Sequence, residues 1–195
     1  MTQELKRKAF HSLILLIILS YVFLPLPVVF WGLGILWAAV GVTEAVRLRR
    51  PRVNDFLMRF FHGIDRETER TRPSGIFWTL SGALLVVGLI PYRDIAVTCL
   101  IYLLLGDMTA ALVGQTWGHF RIGGKSLEGG LACFLVCWFA GALCLQPAGG
   151  MPEALIGALI ATLCELLPLP FDDNLWIPWI PGITLSVLRI ASVFR

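Results

Sequence analysis

Seven apolar runs, separated by short segments rich in proline, glycine and charged residues, most constrain how this chain can fold. We interpret these runs as helices that cross the ~30 Å hydrocarbon core of a membrane. With 57% hydrophobic and 15% charged residues, the chain lacks the polar side chains that would cover a soluble domain. We therefore predict one all-α domain over residues 1–195, a polytopic integral membrane protein with about seven transmembrane helices. The runs cover residues 12–24, 28–46, 75–90, 95–113, 127–145, 154–167 and 175–190.

Two parts of this pattern depart from simple spanning helices. Residues 47–72 are polar but place Phe56, Leu57 and Phe60 on one face, which predicts an amphipathic helix at the membrane interface over about residues 50–72. The sixth run is short for a bilayer, and the prolines of the seventh leave open whether that run crosses fully, is broken or is re-entrant.

The distribution of positive charge predicts the orientation of the helices. Segments 1–8, 47–74, 114–126 and 168–174 are separated by pairs of apolar runs and so face the same side, and they contain 13 of the 16 lysine and arginine residues. By the positive-inside rule, the N-terminus and these loops are cytoplasmic, in a prokaryotic inner membrane or an ER-type membrane. The arginines between Arg47 and Arg72 either set this topology alone or also attract anionic lipid headgroups or a nucleotide phosphate. Nucleic acid is a poor partner, because no aromatic platform accompanies the arginines.

The five cysteines all lie inside apolar runs and are predicted to be small buried hydrophobic residues. No cleavable signal pattern follows the first run, which ends in a Leu-Pro-Leu-Pro sequence without a small-residue cleavage site. Both observations favour a membrane with a reducing cytoplasmic face.

Asp107 is an acidic residue inside the fourth apolar run. An ionisable side chain in a spanning helix is costly, so we expect it to face the bundle interior and to serve function, although a structural hydrogen bond is the alternative. Gly106, Ala110 and Gly114 recur every four residues beside it and would let a neighbouring helix approach closely.

The segment Gly123-Gly124-Lys125-Ser126 follows at the cytoplasmic side. It is not a P-loop, because the first glycine of that motif would fall at His119 and no strand is expected in an all-helical chain. Glycine amides, a lysine and the start of the next helix can nevertheless form an anion site. The alternative is an ordinary solvated loop, although Glu128 argues against simple pairing with lipid charge.

A second acidic group lies at the cytoplasmic end of the sixth run. Glu165, Asp172 and Asp173, with the amide of Asn174, would offer hard oxygen ligands suited to Mg²⁺ if they converge near Asp107. The alternative for the two aspartates is a helix cap and turn.

Five sequence blocks in chain order are distributed over most of the length of the chain. They are Glu4-Leu5-Lys6-Arg7-Lys8-x-x-His11, Arg72-Pro73-Ser74-Gly75, Gly106-Asp107-x-x-Ala110-Ala111-x-x-Gly114, Gly124-Lys125-Ser126-Leu127-Glu128-Gly129 and Glu165-x-x-Pro168-x-x-x-Asp172-Asp173-Asn174-Leu175-x-Ile177-Pro178. Together they resemble the CTP-dependent lipid kinases, namely dolichol, phytol and farnesol kinases and the yeast-type diacylglycerol kinase. Two blocks also resemble phosphatidate cytidylyltransferases, but the late histidine-glycine-glycine signature of those enzymes is absent, which favours a kinase.

The resemblance implies that the terminal phosphate of CTP is transferred to a lipid alcohol, a polyprenol-type alcohol or diacylglycerol, with Mg²⁺ as cofactor. On this hypothesis Asp107, Glu165, Asp172 and Asp173 bind the metal and the nucleotide phosphates, and one of the last two accepts the alcohol proton. Lys125 clamps phosphate with the loop of Gly123, Gly124 and Ser126. The weaker phosphate candidates and the supporting residues are Lys6, Arg7, Arg72, Glu128, Asn174 and His11.

Two other functions stay open from the sequence. Cytidylyl transfer that makes a CDP-lipid is the first, and a non-enzymatic lipid transporter or membrane assembly subunit is the second. His11 could assist a reacting hydroxyl or only anchor the chain at the interface. The identity of the lipid and the oligomeric state also stay open. The choice of CTP over ATP rests on the resemblance alone.

Overall fold

The computed structural model describes residues 13–60, 67–145 and 150–193, and most of them are helical. The prediction of an all-α chain is therefore confirmed, and each of the seven apolar runs contains a helix. The helices are α1 Ile14–Phe23, α2 Leu26–Arg49, α3 Pro51–Phe60, α4 Gly75–Leu89, α5 Arg93–Thr116, α6 Leu127–Cys144, α7 Gly150–Leu166 and α8 Asp173–Val193, with a short 3-10 turn at Glu67–Arg70.

Within these described ranges, four helices are long and apolar enough to cross a membrane: α2, α5, α6 and α8. The predicted count of about seven spans is not confirmed. Helix α1 has 10 residues and α4 has 15, which at ~1.5 Å per residue is shorter than the hydrocarbon core. Helix α8 runs unbroken through Pro178 and Pro181.

The bundle is built around α5, the most buried of the four long helices. Helix α6 packs against both α5 and α7, α8 packs against α7, α4 and α5, and α2 packs on α4 at the outside. Cys99, Tyr102, Cys133 and Cys137 are fully buried at the centre. Trp31 on α2 is 68% exposed, as expected for a side chain that faces lipid rather than water.

The predicted interfacial helix is present in part, as α3. Phe56 and Phe60 stack on its outer side and are 65% and 74% exposed, whereas Met58 is buried. The segment from 61 to 66 lies outside the described residues, and the chain resumes in the 3-10 turn.

Arg47 ties the interfacial segment to the bundle. Its guanidinium pairs with Glu44 at 2.6 and 2.9 Å and donates to the Asn54 side chain of α3 at 3.0 Å. It also donates to the backbone carbonyls of Glu69 and Arg72 at 2.7 and 2.8 Å. These five bonds fix the end of α2, α3 and the entry to α4 relative to one another.

The segment around Lys125 forms a short β-hairpin, although the sequence analysis expected no strand in it. Arg121–Ile122 (β1) pairs antiparallel with Lys125–Ser126 (β2). Gly123 and Gly124 form the turn with φ of +58° and +92°, values that favour glycine at both positions of a two-residue hairpin. The hairpin leads directly into α6, because the Ser126 hydroxyl accepts a hydrogen bond from the Gly129 amide at 2.9 Å and caps the helix.

A second ion-pair network lies at the other end of the bundle. Arg189 of α8 pairs with Asp94 of α5 and with Glu153 of α7, each at 2.6 Å, and stacks over the Tyr92 ring. It joins three helices far from the hairpin.

Candidate active site

Three carboxylates from three helices meet beside the hairpin. Asp107 lies in α5, Glu165 near the end of α7 and Asp173 at the start of α8, and each offers an oxygen within 4.8 Å of the other two. Asp107 and Glu165 are buried and Asp173 is half-buried. Within the described ranges, this is the convergence that the sequence predicted for Asp107 and the late acidic group. We call these residues the three-carboxylate cluster.

The backbone around Asp107 brings α5 close to α6. A π-helical turn, Tyr102–Gly106, directly precedes the aspartate, and such turns often occur at functional sites. A Cβ added at Gly106 would lie 2.7 Å from the Cys137 sulfur, and one at Gly129 would lie 2.5 Å from the Ala110 carbonyl oxygen. Only glycine fits at these two contacts, so the small residues hold Asp107 against α6.

Lys125 inserts its ammonium group into the three-carboxylate cluster. Its Nζ atom lies 2.5 Å from Asp173 Oδ2 and 2.9 Å from Glu165 Oε2. Burial opposes the charge on Lys125, but attraction to Asp173 and Glu165 and the hydrogen bonds to them outweigh it, so the pKa of Lys125 is raised above its ordinary value. The lysine is therefore protonated throughout the neutral pH range.

A cavity of about 240 Å³ opens over the cluster. Its wall contains all three carboxylates, Lys125 and the start of α6, where the positive end of the helix dipole favours anions. Gly124 and Ser126 also line it. One cavity therefore combines oxygen ligands for a cation with groups that bind phosphate.

Arg121 also lines this cavity and was missed by the sequence reasoning. Its side chain is exposed and donates a hydrogen bond to the Gly124 carbonyl at 3.2 Å. The signal that could have identified it is the pair of glycines at 123 and 124, which favours a two-residue hairpin turn and so places Arg121 opposite Ser126. The sequence analysis expected no strand at this loop.

Asp172 and Asn174 do not line the cavity. Asp172 Oδ1 accepts a hydrogen bond from the Asn174 amide at 3.1 Å, so Asp172 is in a helix-capping position at the start of α8. Asn174 is 2% exposed and packs on α4, where a Cβ at Gly82 would lie 2.6 Å from its carbonyl oxygen. Of the two neighbouring aspartates, Asp173 is the one at the cluster.

The other predicted site residues have varied positions. Glu128 supports the hairpin, because its Oε1 accepts from the backbone amides of His119 and Phe120 at 3.0 and 3.2 Å. The side chain of Arg72 is exposed and does not line the cavity. Gly123 is in the hairpin turn beside the cavity-lining Gly124. Lys6, Arg7 and His11 lie outside the described residues.

The residues of the cluster fit a divalent cation such as Mg²⁺. Carboxylate oxygens are its preferred protein ligands, and it commonly uses one or two of them together with substrate phosphates. The close approach of the Lys125 ammonium to two of the carboxylates indicates that these oxygens already suit a cation. Asp107, Glu165 and Asp173 would hold the metal.

Two known proteins are similar to this chain. An uncharacterised protein of Rickettsia prowazekii is 28% identical over 183 residues, which cover 90% of this chain and 89% of that protein. CTP-dependent diacylglycerol kinase 1 of Schizosaccharomyces pombe is 26% identical over 166 residues, which cover 74% of each chain. No protein-family model matches the chain, and no solved structure matches it. The second similarity is a distant homology.

Proposed function

We propose that this protein is a membrane lipid kinase that transfers the terminal phosphate of CTP to the hydroxyl group of a lipid alcohol. The observation that carries the proposal is the meeting of the three-carboxylate cluster with Lys125 in one cavity at the start of α6. Phosphoryl transfer needs positioning and charge neutralisation more than covalent chemistry, and this cavity offers both. The distant similarity to a CTP-dependent diacylglycerol kinase supports the nucleotide and the class of acceptor.

Each group in the cavity has a role in this proposal. Asp107, Glu165 and Asp173 hold Mg²⁺, which when bound neutralises charge on the phosphate oxygens. Lys125 and Arg121, with the positive end of the α6 dipole, bind and orient the nucleotide phosphates. Asp173 is the candidate to accept the alcohol proton, since it lines the cavity whereas Asp172 caps α8.

The position of the cavity suits a substrate pair in which one member is soluble and the other is a lipid. Helix α5 ends at Thr116 and α7 at Leu166, whereas α6 begins at Leu127 and α8 at Asp173, so the cavity lies at one end of the bundle. A nucleotide can approach this end from water while a lipid hydroxyl reaches it from the headgroup layer. We propose that this end is cytoplasmic, because the basic loops gather there.

The nucleotide product tests the proposal against its nearest rival. Purified protein in detergent is incubated with CTP, Mg²⁺ and either prenols or diacylglycerol, or with phosphatidate. We expect CDP with the lipid alcohols. Pyrophosphate released only with phosphatidate would overturn the kinase assignment in favour of CDP-lipid synthesis. Absence of both products and of any CTP-dependent thermal shift would favour a non-enzymatic protein.

A further inference from the structure

Lys125 occupies the place among the carboxylates that a divalent cation would need. Its ammonium nitrogen lies 2.5 Å from Asp173 Oδ2 and 2.9 Å from Glu165 Oε2. Those oxygens lie in the same cluster as Asp107, with ligand atoms within 4.8 Å of one another. The lysine is thus an internal cation bound to the ligands that we assign to the metal.

The lysine and the metal cannot both keep these contacts. Mg²⁺ binds carboxylate oxygens at about 2.0–2.1 Å, so an ion on Asp173 and Glu165 would lie very close to the present position of the ammonium group. Two positive charges at such a distance repel strongly in a partly buried site. The side chain of Lys125 is 32% exposed and those of Glu165 and Asp173 are 7% and 13% exposed, so the lysine is the group with room to move.

The same cavity provides an anionic ligand with a route to the lysine. Lys125 lies on β2, next to Gly124. Strand β2 pairs with β1, and Arg121 of β1 lines the cavity. A polyphosphate that binds at Arg121 and the start of α6 offers the ammonium an alternative set of oxygens. Its arrival would release Glu165 and Asp173 for the metal.

We propose that Lys125 is a latch that makes metal binding depend on nucleotide binding. Without nucleotide it holds Glu165 and Asp173 and keeps the affinity for divalent cations low; with nucleotide it moves to the phosphates and the metal takes its place. By linkage, the metal strengthens nucleotide binding by the same factor. The proposal rests on the proposed function only in taking the polyphosphate ligand to be a nucleotide.

Metal binding to the protein without nucleotide or lipid tests the latch. Mn²⁺ is titrated against wild-type protein and the Lys125→Met variant in detergent, and free Mn²⁺ is followed by electron paramagnetic resonance. We expect the variant to bind Mn²⁺ on the order of tenfold more tightly, within the about 5- to 150-fold range of typical coupling between sites. An unchanged or weaker affinity in the variant would overturn the proposal. Because this assay contains neither CTP nor lipid, its result is independent of whether the protein is a kinase.

The Arg121→Met variant is the matched control. It removes an equal charge from the same cavity wall, but Arg121 bonds the Gly124 carbonyl rather than a carboxylate. We therefore expect a much smaller rise in Mn²⁺ affinity than in the lysine variant. An equal rise would indicate that general cavity charge sets the affinity, and would contradict the latch.

Chemical labelling of the wild-type protein tests the latch without any substitution. Lys125 is one of three lysines, with Lys6 and Lys8, so mass spectrometry can assign an acylated amine to it. We expect a concentration of Mg²⁺ that saturates the site to raise the acylation rate of Lys125 relative to the other two, because the metal frees it from Glu165 and Asp173. A rate that Mg²⁺ leaves unchanged or lowers would overturn the proposal, even if the Lys125→Met variant failed to fold.

Discussion

Asp172 and Asp173 are adjacent in sequence but have different surroundings. Asp173 is bound by the Lys125 ammonium and belongs to the three-carboxylate cluster, whereas an oxygen of Asp172 accepts from the backbone at the start of α8. The position of the helix start explains this difference. Asp173 is the first residue of α8 and its side chain lies in the cluster, whereas Asp172 precedes the helix and its side chain accepts from the backbone of Asn174.

This difference gives a paired prediction. Asp173→Asn should lower kcat for lipid phosphorylation by about 10²–10³-fold, a magnitude typical of losing one preorganised charge contact in an active site. Asp172→Asn should retain most activity, because asparagine caps helices as well as aspartate does. Steady-state kinetics with CTP on both purified variants make the comparison. Equal losses would contradict the separation of roles.

The sequence was enough to predict that Asp107 and Lys125 belong to the site. It predicted only some of the residues that they contact. An acidic residue in an apolar run and a lysine beside two glycines stand out without a structure, and both Asp107 and Lys125 line the cavity. The direct pairing of Lys125 with Glu165 was not predicted, because the two residues are 40 positions apart and meet only when α7 packs on α6. Arg121 has an ordinary appearance in the sequence, since its role depends on the hairpin.

At the scale of elements, the buried Arg47 network is the contact that holds the interfacial segment. Arg47 and Glu44 are 4% and 7% exposed, and the same guanidinium reaches α3 and the chain before α4. The sequence showed only a dense group of arginines. It could not distinguish the one that turns inward, because the acceptors are backbone carbonyls brought close by the fold.

Arg47→Ala should destabilise the protein by about 3–5 kcal/mol, the usual cost of removing one partner of a buried ion pair. Arg49→Ala is the control, because Arg49 lies two residues further along the same helix and is exposed. Thermal unfolding of both variants in detergent measures the difference. The double variant Glu44→Gln with Arg47→Met should recover part of the loss. A similar melting temperature for Arg47→Ala and Arg49→Ala would contradict the role of the network.

At the scale of the whole molecule, hydropathy predicted where helices form but not how many of them cross the membrane. The apolar runs became helices because a bilayer leaves the backbone few other ways to satisfy its hydrogen bonds. The length of α1 and α4 depends on where the chain turns, which the sequence specifies weakly. The hairpin of β1 and β2 was missed because two-residue strands produce no periodic pattern.

The proposed orientation can be measured with cysteine labelling. Ile122 is 44% exposed in the hairpin, and Pro91 is exposed between α4 and α5 at the other end of the bundle. Of the native cysteines, all are buried except the half-buried Cys144, so background labelling should be low. In intact cells of a bacterial host, an impermeant maleimide should label Pro91→Cys but not Ile122→Cys until the cells are opened. The reverse pattern would place the cavity on the outer side.

Transfer of radiolabel from the terminal phosphate of CTP into extracted lipid tests the central claim most directly. Purified wild-type protein is incubated with Mg²⁺ and a panel of prenols and diacylglycerol, with the Asp107→Asn variant alongside. The proposal predicts a labelled lipid phosphate with at least one alcohol and a loss of about 10²–10³-fold in the variant. Folded wild-type protein that labels none of the alcohols, or an Asp107→Asn variant that labels them as fast as wild type, would contradict it.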